Sequence, residues 1–272
     1  MRFSDVWWIL LLMAIGSYLI GSVNFSIIIS KMKGRDIRKL GSGNPGMMNM
    51  SRNFGMKIGV LIFFLDMLKG AIPTFVGWIV FKDVHLDNTA FILADLTKYL
   101  CGFFAVLGHI FPIYLKFKGG KGISTTIGAF LVAEPLVTFI AMVCCLIFIF
   151  ATNMGAMGSL IAVTPPAIAA EVRFYLNYLY KDGSVYQPPE GMEMTVALLA
   201  SIIFVLGICI LTWVAHHSNI GRLIKGDEHE TSWGAMLLKM RDKKRAERLA
   251  KKNAEKEVED SQPTDTSGGD EE

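Results

Sequence analysis

Apolar positions along this chain come in long, nearly unbroken runs, without the alternation of a half-buried strand or the stripe of a soluble amphipathic helix. A helix needs about 20 mainly apolar residues to cross the hydrocarbon core of a bilayer. Residues 6–29, 58–81, 90–115 and 194–215 each meet that requirement. The stretch 123–180 divides less simply. Residues 123–133 are too few for an ordinary span, Glu134-Pro135 interrupts the run, and 136–151 follow. "TNMGAMG" then separates these from 159–180, where Pro165-Pro166 predicts a kink. Broken helices persist in a membrane only where protein or a water-filled cavity satisfies the freed backbone groups. The pattern predicts an all-α polytopic membrane protein with seven transmembrane helices, one or more of them short or kinked.

Composition agrees with the pattern. Of 272 residues, 52% are hydrophobic and only 19% charged, a balance unlike that of a soluble enzyme. Cys101, Cys144, Cys145 and Cys209 lie inside apolar runs without metal-ligand spacing, so they read as small buried hydrophobes. No metal or cofactor is expected from them. The first span has no small-residue cleavage signal behind it and reads as a retained helix.

Charge sets the orientation, because Lys and Arg in short loops stay cytoplasmic. One set of loops carries Lys31, Lys33, Arg35, Arg38, Lys39, Arg52 and Lys57, then Lys116, Lys118 and Lys121, then Arg222 and Lys225. The alternate loops, "KDVHLDN" and "KDGSVYQPPEGME", are neutral to acidic. Seven crossings with the N-terminus outside and the C-terminus cytoplasmic put every basic loop inside. Six crossings would place Asn219 and Arg222 outside, against the charge rule. The chain thus divides into a membrane domain (1–231), a basic helix-like cytoplasmic tail (232–260) and an acidic, aperiodic end (261–272) that should be disordered. The basic tail either lies along an anionic leaflet or only fixes topology. A bilayer is the expected surroundings, nucleic acid is not an expected partner, and the protein reads as a monomer.

Three segments on the basic side carry candidate chemistry. In "GSGNPGMMNMSRNFG", glycines 41, 43 and 46 free the backbone to turn N–H groups toward an anion. Ser42, Asn44 and Asn49 add neutral donors there, and Arg52 a bidentate fork suited to phosphate. In "GHIFPIYLKFKGGKGIS", Gly119, Gly120 and Gly122 permit close approach beside the point charge of Lys121. Lys116 and Lys118 either support that cradle or snorkel to headgroups. His109 lies about 10 Å of helix rise from Lys116, which places it off the loop. In "HHSNIGRLIKGDE", His216, Asn219 and Arg222 recur every third residue and would share one helical face. His217 points elsewhere, and Glu228 is expected to pin Arg222 or a loop N–H. Asp66 and Lys69, three apart within the second span, should face a polar interior and read as a mutually neutralising pair or as direct substrate contacts.

These segments carry a family resemblance. "GSGN.G", "D..KG", "GH.FP..L.F.GGKG" and "H..N..RL..G.E" occur here in order. Together they resemble the acyl-phosphate-dependent glycerol-3-phosphate acyltransferases of bacterial membranes, the PlsY family, over residues 16–228. The resemblance implies a seven-helix enzyme of the bacterial cell membrane with its active site on the cytoplasmic side. It would move an acyl chain from acyl phosphate to the 1-hydroxyl of glycerol 3-phosphate, giving lysophosphatidic acid and phosphate. The family's first-motif Ser and Arg fall on Ser42 and Arg52, and its second-motif residues on Gly119, Gly120, Lys121 and Gly122. Its third-motif His, Asn and Glu fall on His216, Asn219 and Glu228. Met47-Met48 departs from the usual Ala-Thr and leaves no hydroxyl at position 48.

Acyl phosphate is a mixed anhydride, so neither ATP, coenzyme A nor metal is needed at the transfer step. His216 could act as the base for the attacking hydroxyl, or the donor's phosphoryl oxygens could take the proton while His216 and Asn219 orient it. A second reading is a transporter of anions or phosphate esters, which would also gather basic glycine loops at an interface. That reading is weakened by the lack of an internal repeat. The clustered aspartates of a metal-dependent phosphotransferase are missing, as is the His-Asp pair of coenzyme A acyltransferases. Topology is testable directly. In intact cells lacking the four native cysteines, H85C and Q187C should react with a membrane-impermeant reagent, while G43C, G120C and N219C should not.

Overall fold

The computed structural model describes residues 2–86, 91–181, 184–185 and 192–226, with a few positions between 241 and 253. The chain divides into two units, Met1–Glu230 and Thr231–Glu272. Most of the second unit, and with it the basic tail, the acidic end, Gln187 and Glu228, lies outside the described residues.

The first unit is built from helices. In chain order they are α1 (Phe3–Ser22), α2 (Phe25–Met32), α3 (Met47–Phe54), α4 (Met56–Phe81) and α5 (Leu93–Ile110), then α6 (Ile123–Ala133), α7 (Pro135–Thr152), α8 (Gly155–Phe174), α9 (Met192–Ala215) and α10 (His217–Lys225). A π-helical turn, Tyr175–Leu179, extends α8, and a two-residue antiparallel hairpin, Tyr180–Lys181 with Ser184–Val185, follows it. Among the described residues six helical segments are long and apolar enough to cross a membrane, and α6 is a shorter apolar helix. The protein is therefore a multi-pass membrane protein.

The breaks have local causes. Glu134-Pro135 separates α6 from α7, Pro135 standing at the first position of α7 where its missing N–H costs no helical hydrogen bond, and Asn153 in the left-handed conformation (φ 58) ends α7. Both breaks match the sequence pattern. Helix α8 runs on through Pro165 and Pro166. The expected single first span is instead interrupted at Val23-Asn24. There the Asn24 side chain accepts the Ile27 N–H at 3.0 Å and opens a new helix. Its signal in the sequence is a lone Asn in an apolar run.

Packing is inside-out relative to a soluble protein. Large apolar side chains such as Leu136, Phe139, Ile147, Ile203 and Ile210 face outward, where lipid replaces water. Cys144 also faces outward, so it is not the buried residue the composition suggests; Cys101 and Cys145 are buried. Inside, helix backbones touch. A Cβ added at Gly70 would collide with the Thr125 carbonyl and one at Gly128 with the Met67 carbonyl, which locks α4 against α6. Gly21 and Gly108 do the same for α1 against α5. Lipid gives helices no hydrophobic reason to associate, so such close van der Waals approach has to supply it.

At the end of α5 remote from His109 sits a balanced ionic cluster. Asp95 pairs with Lys98 at 2.8 Å and with Arg173 at 3.1 Å, and Arg173 reaches Glu134 at 3.0 Å. Tyr178 donates to Asp95 at 2.7 Å, and Tyr99 donates to Glu134. Two acids and two bases neutralise one another there, which is what burial in a low dielectric requires. The cluster also pins the α6–α7 junction to α5 and α8, so α6 can stop after 11 residues. Gly128→Val should force α4 and α6 apart, lowering stability by about 1–3 kcal/mol in a thermal melt of the detergent-solubilised protein. Gly16→Ala, where an added Cβ meets nothing within 4 Å, should instead stabilise α1 by about 0.5–1 kcal/mol.

Candidate active site

The first loop is folded around one amide. Asn49, 1% exposed, donates from Nδ2 to the Leu40 carbonyl at 2.9 Å and the Ile37 carbonyl at 3.4 Å. Its Oδ1 accepts the Ser42 N–H at 3.3 Å and the Asn53 amide at 3.0 Å. Gly41 (φ 53) must lack a side chain because a Cβ would strike that oxygen. Expected to be a donor to substrate, Asn49 is instead the pivot of the loop. Arg38 is likewise committed, 2.6 Å from Asp36, and its hydrogen bonds hold the Asp36 carboxyl down to about 2. Ser42 and Arg52 are exposed, and Asn44 is half-buried.

The second loop doubles back on α5. Pro112 and the 3-10 turn Ile113–Leu115 end the helix, and Lys116 (φ 53) and Phe117 (φ 59) take left-handed conformations to reverse the chain. The Gly119 and Gly120 N–H groups then donate to the carbonyls of Ile110 and His109, each at 3.1 Å. These two amides thus serve carbonyls left over at the end of α5 rather than an anion. A Cβ at Gly120 would overlap His109 Nε2, which explains the glycine. Helical spacing had put His109 off this loop; the chain reversal places the loop directly upon it. Gly122 (φ 81) starts α6 with no side-chain cap. The first-turn N–H groups of α6 open beside Lys121 and give that helix end a partial positive charge. Lys116 and Lys118 are exposed.

In the third segment His216 occupies the break between α9 and α10 rather than a position on one continuous helix face. Its carbonyl still accepts the Asn219 N–H at 2.9 Å, so the two stay together. His216 Nδ1 lies 2.8 Å from the Thr212 carbonyl. A carbonyl can only accept, so Nδ1 carries the proton and Nε2 is the basic nitrogen. His216 and Asn219 are buried, Arg222 is half-buried and His217 is exposed.

The three segments meet. Lys121 donates from Nζ to Asn219 Oδ1, joining the second to the third. Leu115 packs against the apolar cluster of Ile27, Ile37, Met50 and Ile62, joining the second to the first. Beneath them Lys69 pairs with Asp66 at 2.9 Å, the mutual neutralisation expected. Among the described residues no group of three or more His, Cys, Asp or Glu side chains could hold a metal ion. Thr125, whose hydroxyl lies 3.0 Å from His109 Nδ1, and Thr212 were missed, since hydroxyls in apolar helices carry no spacing signal.

The profile of the family described as glycerol-3-phosphate acyltransferase matches residues 11–226. The chain belongs to this family. It is 37% identical over 220 residues to the glycerol-3-phosphate acyltransferase of Mycoplasmopsis pulmonis, covering 80% of this chain and 92% of that one. It is 34% identical over 219 residues to that of Aquifex aeolicus, covering 80% and 97%. Two crystal structures of PlsY, an integral membrane glycerol 3-phosphate acyltransferase, share the fold. The glycerol 3-phosphate form gives a TM-score of 0.65 at 29% identity, covering 84% of this chain and 98% of that one. The lysophosphatidic acid form gives 0.64 at 28%, with the same coverage. The protein is thus a membrane acyltransferase of phospholipid synthesis, and the transporter reading falls.

The loop geometry separates structural from contact roles in this glycerol-3-phosphate acyltransferase. Asn49→Ala removes the amide that ties the Leu40 carbonyl, the Ser42 N–H and Asn53 together and should cost about 1–3 kcal/mol of stability. Ser42→Ala, at an exposed hydroxyl, should change stability by less than about 0.5 kcal/mol in the same thermal melt.

Proposed function

We propose that the donor is acyl phosphate, that the acceptor is the 1-hydroxyl of glycerol 3-phosphate, and that transfer occurs at the cytoplasmic face of a bacterial cell membrane. The contact between Lys121 and Asn219 carries this reading, because it joins the phosphate-type cradle to the His216 segment. In this reading Ser42, Asn44 and Arg52 grip one phosphate, while the Gly43 N–H stays with the Leu40 carbonyl at 3.0 Å. Lys121, Gly122 and the first turn of α6 grip the other, with Arg222 nearby as further positive charge. Two anions held side by side need several cations and N–H donors in a partly dry site. Seven crossings, counting α6, keep all the basic loops on that one side.

The acceptor hydroxyl oxygen attacks the acyl carbonyl carbon, and a carbon–oxygen bond forms. The bond from that carbon to the bridging phosphate oxygen breaks, and its electron pair leaves with phosphate. The hydroxyl proton ends on the departing phosphate, which therefore leaves as hydrogen phosphate and not as the strongly basic trianion. His216, its tautomer set by Thr212, presents Nε2 to orient the hydroxyl. Asn219 positions Lys121.

Palmitoyl phosphate should support turnover and palmitoyl coenzyme A should not, with free phosphate and lysophosphatidic acid scored on purified protein; comparable rates would remove the acyl-phosphate donor. His216→Gln should keep more activity than His216→Ala. A loss of about 10²–10⁴-fold in both, with the acidic limb of the pH–rate profile abolished, would make His216 the base instead.

A further inference from the structure

Below the second loop lies a chain of polar contacts that the chemistry above does not use. At the α1–α2 break the Val23 carbonyl has left the helical ladder, and Lys69 Nζ donates to it at 2.9 Å. Lys69 pairs with Asp66, and Asp66 Oδ1 stands 3.9 Å from His109 Nδ1. That nitrogen is 3.0 Å from the Thr125 hydroxyl in the first turn of α6. On its other edge the His109 ring fills the space above which Gly120 sits, and the His109 carbonyl holds the Gly120 N–H. Asp66, Lys69 and His109 are 2–4% exposed. One line of side chains therefore runs from the start of α2, which leads into the first loop, through α4 and α5 to the loop that carries Lys121.

A buried ion pair is seldom more stable than apolar side chains of the same volume, so its use is better sought in geometry. Apolar side chains slide over one another, whereas the hydrogen bonds at Val23 and Thr125 and the Lys69–Asp66 ion pair fix their own lengths, and Asp66 and His109 abut at 3.9 Å with no hydrogen bond between them. We propose that Lys69, Asp66 and His109 form a strut that sets the spacing between the two phosphate-binding loops, His109 and Lys69 being positioning residues. This rests on the site assigned above. Apolar replacement of the strut would let the loops drift while the helices stayed packed, weakening binding of glycerol 3-phosphate and lowering turnover together.

The test uses the full chain purified in detergent, with glycerol 3-phosphate binding by calorimetry, steady-state kcat and KM, and melting temperature. The paired replacement Asp66→Leu with Lys69→Met, and His109→Leu separately, should each weaken binding and lower kcat by about 10–100-fold while melting near wild type. Combining the two should be no worse than either alone, because both break one strut. His109→Gln, whose amide still reaches the Thr125 hydroxyl, should recover most of the loss. Wild-type binding and kcat in a folded His109→Leu protein would overturn the strut, as would fully additive losses. If the paired replacement fails to fold, the contrast between His109→Gln and His109→Leu decides alone. Turnover with palmitoyl coenzyme A would sink the donor assignment but leave the binding result standing.

Discussion

Hydrocarbon offers no hydrogen-bond partners, so each backbone group freed by a helix break must be answered from within the chain. That constraint organises this protein. Among the described residues, breaks in or beside the apolar runs include Val23-Asn24, the turn after Ile110, Glu134-Pro135 and Asn153. Asn24 and Lys69 answer the first, and the amides of Gly119 and Gly120 answer the second. The carboxylate of Glu134, held by Arg173 and Tyr99, anchors the third.

The same answers build the site. Because Gly119 and Gly120 must reach the last carbonyls of α5, the chain is forced back across the helix end, and Lys121 arrives beside Asn219. Because α6 starts at Gly122 without a side-chain cap, its positive end is left beside Lys121. A structural requirement and a chemical one are met by the same few residues. The remote ionic cluster has the complementary part, holding α6 short at its other end.

Close helix contact is the second determinant. Glycines at 21, 70, 108 and 128 bring α1, α4, α5 and α6 into backbone contact, so polar side chains between them are shielded from lipid. Asp66, Lys69 and His109 are tolerable only in that interior, where each has a partner within reach.

The apolar runs by themselves determined the fold class, most helix ends and the outward apolar surface, since length and composition decide what can cross a bilayer. The glycine, lysine, asparagine and histidine motifs likewise marked three segments that the fold brings together. Tertiary structure alone decided what each residue touches. Helix rise separated His109 from the loop that actually rests on it, because rise measures distance along a helix and says nothing of a chain that turns back. Asn49 read as a ligand donor and proved to be the loop's own pivot, since an amide serves backbone and substrate equally well until the fold chooses. The break at Asn24 was hidden inside an apolar run, and its other half, Lys69, lies 46 residues away. Pairings at that separation leave no periodicity to read; they exist only once α1 and α4 lie side by side.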